Sequence, residues 1–162
     1  MTGESRFEAL VSGLDYPMFI VTAAAGDRRA GCLVGFATQC SINPPRFLVC
    51  LSKTNETHQV AAEADTLAVH VPRARDRSLA ELFGGETGHE TDKFAQVNWH
   101  PGPNGVPILD DCPQWFAGRI VSRQDTGDHE AIVLAPVDAS ATHANPQLPF
   151  QEVRDLPPGN AP

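Results

Sequence analysis

Residues 31–58, GCLVGFATQCSINPPRFLVCLSKTNETH, decide how the rest of the chain is arranged. They read as a strand of small and polar residues, a Pro44-Pro45 corner, and a second, more apolar strand. A hydroxyl-rich turn then opens a helix. Residues 34–41 carry Gly, Ala, Thr, Gln, Cys and Ser where an ordinary core strand carries Val, Ile and Leu. Glycine inside a strand marks a place where another backbone or a ligand comes close. The turn that follows, Ser52-Lys53-Thr54-Asn55-Glu56-Thr57-His58, sits at the mouth of the next apolar-periodic segment. Hydroxyls, one lysine and the free N–H groups of a helix start together suit an anion. A flat ligand bearing a phosphate fits both halves of the stretch.

The rest of the chain surrounds this stretch with a single domain. At 162 residues the chain is long enough to bury a core without disulfides. A net charge of −8 argues against a nucleic-acid or anionic-membrane surface. The arginines come in small groups (Arg28 and Arg29; Arg73, Arg75 and Arg77) rather than as a basic face. No apolar run approaches the roughly 18 residues of a membrane span, and no signal pattern opens the chain. The expected location is the cytoplasm. Cys32, Cys40, Cys50 and Cys112 show no zinc-type spacing, so no metal site is expected. The first three lie in apolar strands and read as small buried hydrophobes. Asn55-Glu56-Thr57 matches a glycosylation acceptor by chance, since nothing marks the chain for secretion.

In chain order, Phe7, Leu10, Val11 and Leu14 give residues 5–14 one apolar helical face, stopped by Tyr16-Pro17. Residues 18–23 (MFIVTA) predict a strand, and Gly26-Asp27 a hairpin turn. Residues 30–41 predict one continuous second strand. Its bulkier face, Cys32, Val34, Phe36, Thr38 and Cys40, suits the core; Leu33, Gly35, Ala37, Gln39 and Ser41 suit a ligand wall. Residues 46–52 predict a third strand buried on both faces, and 55–64 a helix capped by Thr54. Residues 66–71 make a fourth strand. Ser78 and Glu81 have capping-box spacing for a short helix ending at Gly84-Gly85. Residues 85–113 read as a long loop, and 115–123 and 130–137 as strands joined by Thr126-Gly127-Asp128. The barrel domain is expected over 1–141. A Pro-rich extension over 142–162 packs on the surface or frays, with Phe150 and Val153 as its anchors. Five or six strands with only short helices point to a mainly β protein, a closed or split β-barrel.

Six motifs in register resemble the flavin reductase family with the FMN-binding split barrel. They are the IVTA strand leading through Gly31 to Ser41-Ile42-Asn43-Pro44-Pro45, then LVCLSKTNETH, Leu82-Phe83, Asp92-Lys93-Phe94, Pro107-Ile108-Leu109 and Gly127-Asp128-His129. The resemblance runs from about residue 7 to about 140. It implies a six-stranded antiparallel Greek-key split barrel that forms homodimers, with FMN (or FAD) near the dimer interface. It places Gly35, Phe36, Ala37, Thr38, Gln39, Cys40 and Ser41 along the flavin, the last three holding the ring. Lys53, Thr54, Asn55 and Thr57 would hold the phosphate, with His58 closing that end. His129 would stand near flavin and nicotinamide. The family commonly carries Thr, Asn and Ser where this chain has Leu33, Gly35 and Phe36, and Ser where it has Gln39, which leaves room for a deazaflavin.

The implied activity is hydride transfer from NADH or NADPH to flavin, with reduced flavin passed to a partner monooxygenase. The cofactor carries the redox chemistry, so no protein nucleophile is needed. The alternatives are an FMN-binding protein with little reductase activity and a deazaflavin-dependent oxidoreductase. By spacing alone, His129 is a turn-adjacent polar residue. Lys53 with Thr54 and Thr57 is likewise a solvated helix start. Arg73, Arg75 and Arg77 read as a solvated turn, with a contact to the 2′-phosphate of NADPH as the sharper reading. Trp99 and Trp115 read as packing residues.

Overall fold

A computed structural model of the chain describes residues 1–85, 92–140 and 146–159. Among these, helix α1 (Gly3–Ser12) precedes strands β1 (Phe19–Ala25), β2 (Arg28–Val34), β3 (Ala37–Ser41) and β4 (Arg46–Ser52). Helix α2 (Glu56–Ala62), strand β5 (Thr66–His70) and helix α3 (Arg77–Gly85) follow. The chain continues through β6 (Trp99–Pro101), β7 (Pro107–Leu109), β8 (Trp115–Asp125) and β9 (His129–Ala139). None of the described helices is long and apolar enough to cross a membrane.

Seven strands form one antiparallel sheet in the order β2-β1-β5-β8-β9-β4-β3, and β6 pairs with β7 alone. Cys32 and Val34 at one end of the sheet share a core with Val49 and Leu51 near the other. The sheet therefore curls into a half-barrel around an apolar centre, with α2 closing it through Val60 and Ala61. The split-barrel expectation holds, with seven strands in the sheet rather than six.

The extra strand comes from a break at Gly35-Phe36, which corrects the expectation of one strand over 30–41. A Cβ on Gly35 would lie 2.7 Å from Tyr16 Cε2 and 3.2 Å from Met18 Sδ, so only glycine fits beside that ring. Beyond the break the alternation of faces fails. Cys32 and Val34 are buried, but Phe36, Thr38 and Cys40 are exposed, so Cys40 is not a core residue. β2 and β3 become the two edges of the sheet, joined in sequence yet not bonded to each other.

Other elements shift for local reasons. Asn55, not Thr54, caps α2, its Oδ1 accepting from Thr57 N at 3.2 Å. β4 buries Val49 and Leu51 fully and leaves its other residues half-buried, so it is not covered on both faces. Ser78 lies inside α3, where Glu81 pairs with Arg77 at 2.9 Å instead of closing a capping box. The reciprocal cap sits one turn earlier, with Arg73 N donating to Asp76 Oδ2 at 2.8 Å. α1 buries none of its residues, and Phe7 and Leu10 of its apolar face stay exposed.

The expected loop over 85–113 is largely ordered structure where it is described; residues 86–91 lie outside the described ones. Buried Lys93 donates from Nζ to Gly31 O at 2.9 Å and to Phe83 O at 3.0 Å, tying this segment to β2 and α3. Trp99 packs on Phe94 and carries Arg29 over its ring at 4.6 Å; Trp115 packs beside Ile108. The C-terminal extension docks as a strap: Met18 N donates to Leu148 O, Phe150 N to Tyr16 O, and Leu148 N to Pro72 O. Val153 is buried and Phe150 stacks on Tyr16.

Candidate functional site

The β4–β9 pairing builds the site. Its register sets Ser52 opposite His129, so the turn before His129 falls beside Lys53. Lys53 N donates to Asp128 O at 2.9 Å, and Lys53 Nζ stands 2.8 Å from Asp125 Oδ1. Gly127, at a φ of 136°, makes the turn possible, and its N–H bonds to Asp125 Oδ1 at 2.9 Å. A hydrogen bond from Lys53 holds the Asp125 carboxyl below its usual range. His129 Nδ1 lies 2.7 Å from Asp128 Oδ1, and the hydrogen bond from His129 lowers the Asp128 carboxyl in the same way. With a carboxylate at Nδ1, that nitrogen carries the proton, and Nε2 is left for a ligand.

A cavity of about 230 Å³ opens in front of His129. Gly35 and Phe36 at the strand break, Cys50 and Ser52 on β4, and the Asn55 cap line it. Tyr16, Met18 and Phe150 line it as well. The Phe36 ring lies 5.1 Å from the His129 ring, tilted by 52°. Burial pushes the Cys50 thiol above its usual range, so it faces the cavity as a neutral group.

Behind Ser52 the hydroxyls cluster. Ser52 Oγ and Thr54 Oγ1 are 3.1 Å apart. Thr57 Oγ1 is buried beside the Cys32 thiol and has no nitrogen or oxygen partner among the described residues. His58 Nε2 is buried without a hydrogen bond, 3.5 Å from Glu130 Oε1. Arg123 pairs with the same carboxylate and donates to Ala61 O and Ala64 O, satisfying carbonyls at the end of α2.

The structure thus brings Gly35, Phe36, Asn55 and His129 to one cavity, with Lys53, Thr54, Thr57 and His58 on the adjoining turn and helix. It sets Gln39, Cys40 and Ser41 apart, on a separate hollow they share with Ile42 and Asn43. Gln39 Nε2 donates to Ser41 O at 3.1 Å within that hollow. Ala37 packs against the core and Thr38 is exposed. Tyr16, Met18 and Cys50 were not legible as site residues: Tyr16-Pro17 reads only as a helix stop, and nothing local in Phe150 points to a partner so far back in the chain. Among the described residues no group of three His, Cys, Asp or Glu side chains gathers around a metal position.

Residues 11–154 match the flavin reductase like domain family. The FMN reductase (NADH) RutF of Klebsiella pneumoniae strain 342 is 32% identical over 147 residues, 91% of this chain and 88% of that one. The flavin reductase domain protein of Arthrobacter sp. FB24 has the same fold, with a TM-score of 0.82 at 22% identity over 91% of this chain and 90% of that one. So has the NADH:FAD oxidoreductase SgcE6 of Streptomyces globisporus C-1027, solved with NAD and FAD fragments, with a TM-score of 0.79 at 23% identity over 91% and 88%. On the strength of the sequence match along almost its whole length, this chain belongs to the flavin reductase like domain family.

Proposed function

We propose that the protein is an NAD(P)H-dependent flavin reductase that binds FMN, with FAD as a second substrate, and passes hydride from nicotinamide to flavin. The observation that carries this reading is convergence. Three separate stretches, the Gly35-Phe36 break, the Ser52–Asn55 turn and the His129 turn, meet at one cavity. The donor set also fits a flavin phosphate. Thr57 Oγ1, buried beside the Cys32 thiol, and His58 Nε2, 3.5 Å from Glu130 Oε1, follow the Ser52 and Thr54 hydroxyls along the chain, with a lysine on the same turn.

Bound flavin supplies the hydride-accepting chemistry. The chain supplies the rest. Lys53, Ser52 and Thr54 hold the phosphate end by charge-assisted and hydroxyl hydrogen bonds. Asp128 fixes the His129 tautomer and aims Nε2 toward the ligand. Phe36 packs beside that imidazole at a tilt. NADH is favoured as donor because two of the arginines that could meet a 2′-phosphate are engaged: Arg73 with Asp76, and Arg77 with Glu81 and Asp155. The four free cysteines suit the reducing cytoplasm. Phe36 and Ile42, exposed at and beside the β3 edge, support a homodimer with the flavin near its interface. A partner monooxygenase would take up the reduced flavin.

The test is to follow NADH and NADPH oxidation with FMN, FAD or no flavin added. Turnover that requires added flavin is the expected result. Flavin binding without turnover would instead favour the carrier or deazaflavin reading.

A further inference from the structure

The cavity is lined by two kinds of side chain: polar ones, Ser52, Asn55 and His129, and the aromatic pair Tyr16 and Phe150. We propose that Tyr16 and Phe150 form a fixed wall against which the flat heteroaromatic ring of a redox nucleotide packs, so that the C-terminal strap helps position the reacting ring. The proposal rests on the flavin reductase reading above and adds two positioning residues to it.

Four observations carry it. The rings are stacked, with centroids 4.7 Å apart and planes 11° from parallel. They are held in place from the backbone: Phe150 N donates to Tyr16 O at 2.8 Å, and Met18 N to Leu148 O at 2.9 Å. Side chains reinforce this, with Gln151 N donating to Asp15 Oδ1 at 3.0 Å and Gln147 Nε2 to Met18 O at 3.1 Å. Both rings nevertheless stay half-buried, whereas Leu148 and Val153 of the same strap are buried. Packed on one side against Met18, Leu148 and Val153, the pair also lines the cavity that holds His129. Gly35, whose missing side chain makes room for the Tyr16 ring, lets that ring pack directly against the strand break that lines the same cavity.

The size of the space sets what enters it. At about 230 Å³ the cavity is smaller than the roughly 300–1,000 Å³ that encloses a drug-sized ligand. It takes one ring system and leaves the remainder of a nucleotide outside. Two such rings exist in the reaction, isoalloxazine and nicotinamide, and they share the chemistry the wall recognises: a flat, apolar face with polar groups on one edge. Aromatic walls favour such rings by stacking.

The experiment compares wild type with Phe150→Leu, which keeps the bulk and removes the flat ring, and with Val153→Ala, which loosens the same strap away from the cavity. Riboflavin and FMN affinities are read by flavin fluorescence quenching, the KM for NADH at saturating flavin, and folding by thermal melting. Phe150→Leu should weaken one ligand by about threefold to tenfold, the worth of one aromatic contact, with a melting temperature lowered no more than that of Val153→Ala. A loss for riboflavin and FMN alike seats isoalloxazine on the wall; a raised KM for NADH with unchanged flavin affinity seats nicotinamide there. Val153→Ala should lower the melting temperature and leave both ligands within about twofold. Phe150→Leu within twofold on both ligands, beside an active wild type, would overturn the proposal, as would a Val153→Ala variant that loses ligand to the same extent. A wild type that neither binds nor reduces flavin would bring down the reductase reading and the wall with it.

Discussion

Lys53 Nζ stands 2.8 Å from Asp125 Oδ1 while Lys53 N donates to Asp128 O, so one residue latches the whole turn that leads to His129. The ammonium is committed to a carboxylate that is itself largely exposed. A phosphate arriving at this turn competes with Asp125 for the same charge. Lys53→Ala should therefore weaken FMN by about tenfold and riboflavin by less than twofold, since only FMN presents the phosphate. Asp125→Asn should act in the opposite direction and tighten FMN by about threefold. Titrations of both flavins against both variants check this; equal losses for FMN and riboflavin in Lys53→Ala would remove the lysine from the phosphate end.

His129 gives a prediction about rate rather than affinity. Its Nδ1 is held by Asp128 and its ring packs beside Phe36. His129→Ala should lower kcat by about tenfold or more while leaving FMN affinity nearly intact. Asp128→Asn, which frees the imidazole to adopt the other tautomer, should fall between that variant and wild type. Steady-state turnover with NADH, alongside fluorescence titration, separates the two effects. Unchanged turnover in His129→Ala would leave the residue a purely structural role in the turn.

Local chemistry made much of this legible. Glycine in a strand of small and polar residues marked the approach of another group, and at Gly35 that group is Tyr16. Thr126-Gly127-Asp128 announced the hairpin through its turn residues, and β8 and β9 pair across it. What escaped depended on distance along the chain. Alternation cannot report that a strand bends, so Phe36 and Cys40 were placed in the core although they are exposed. Tyr16 and Phe150 carry ordinary local signals, and their pairing exists only once the strap has docked. Lys93 enters the sequence reading only within Asp92-Lys93-Phe94, and its burial against two carbonyls from distant elements exists only in the folded chain.

Gly31 tests the packing behind the site. A Cβ there would lie 2.7 Å from Phe83 Cε1 and 3.3 Å from Thr22 Cγ2. Phe83 is fully buried and packs edge-on against Phe94, so its ring has nowhere to move. Gly31 O also accepts from Lys93 Nζ, which fixes the backbone at this point. Gly31→Ala should destabilise the fold by about 1–3 kcal/mol, the usual cost of overpacking a core. Urea unfolding of the variant checks it. A change below about 0.5 kcal/mol would show that Phe83 can retreat after all.

His70 makes stability depend on pH. The ring is fully buried, with Nδ1 3.1 Å from Ile20 O and Nε2 accepting from Leu109 N at 3.0 Å, so the neutral imidazole satisfies both partners. Burial lowers its pKa to about 4, from 6.5 in the unfolded chain. Between those values the unfolded chain binds a proton that the folded one does not. This contribution is therefore complete above pH 6.5 and is lost as pH falls from there to about 4. The full loss amounts to roughly 3 kcal/mol. The carboxyls lowered by hydrogen bonds, Asp125 and Asp128 among them, titrate at still lower pH and leave this window to the histidine. Unfolding free energies measured in steps from pH 7.5 to 4.5 should fall steadily below 6.5 in wild type. In His70→Gln, where no imidazole remains to be charged on unfolding, the curve should start lower and run flatter across the same interval. An equally steep wild-type and variant curve would assign the acid sensitivity to other groups.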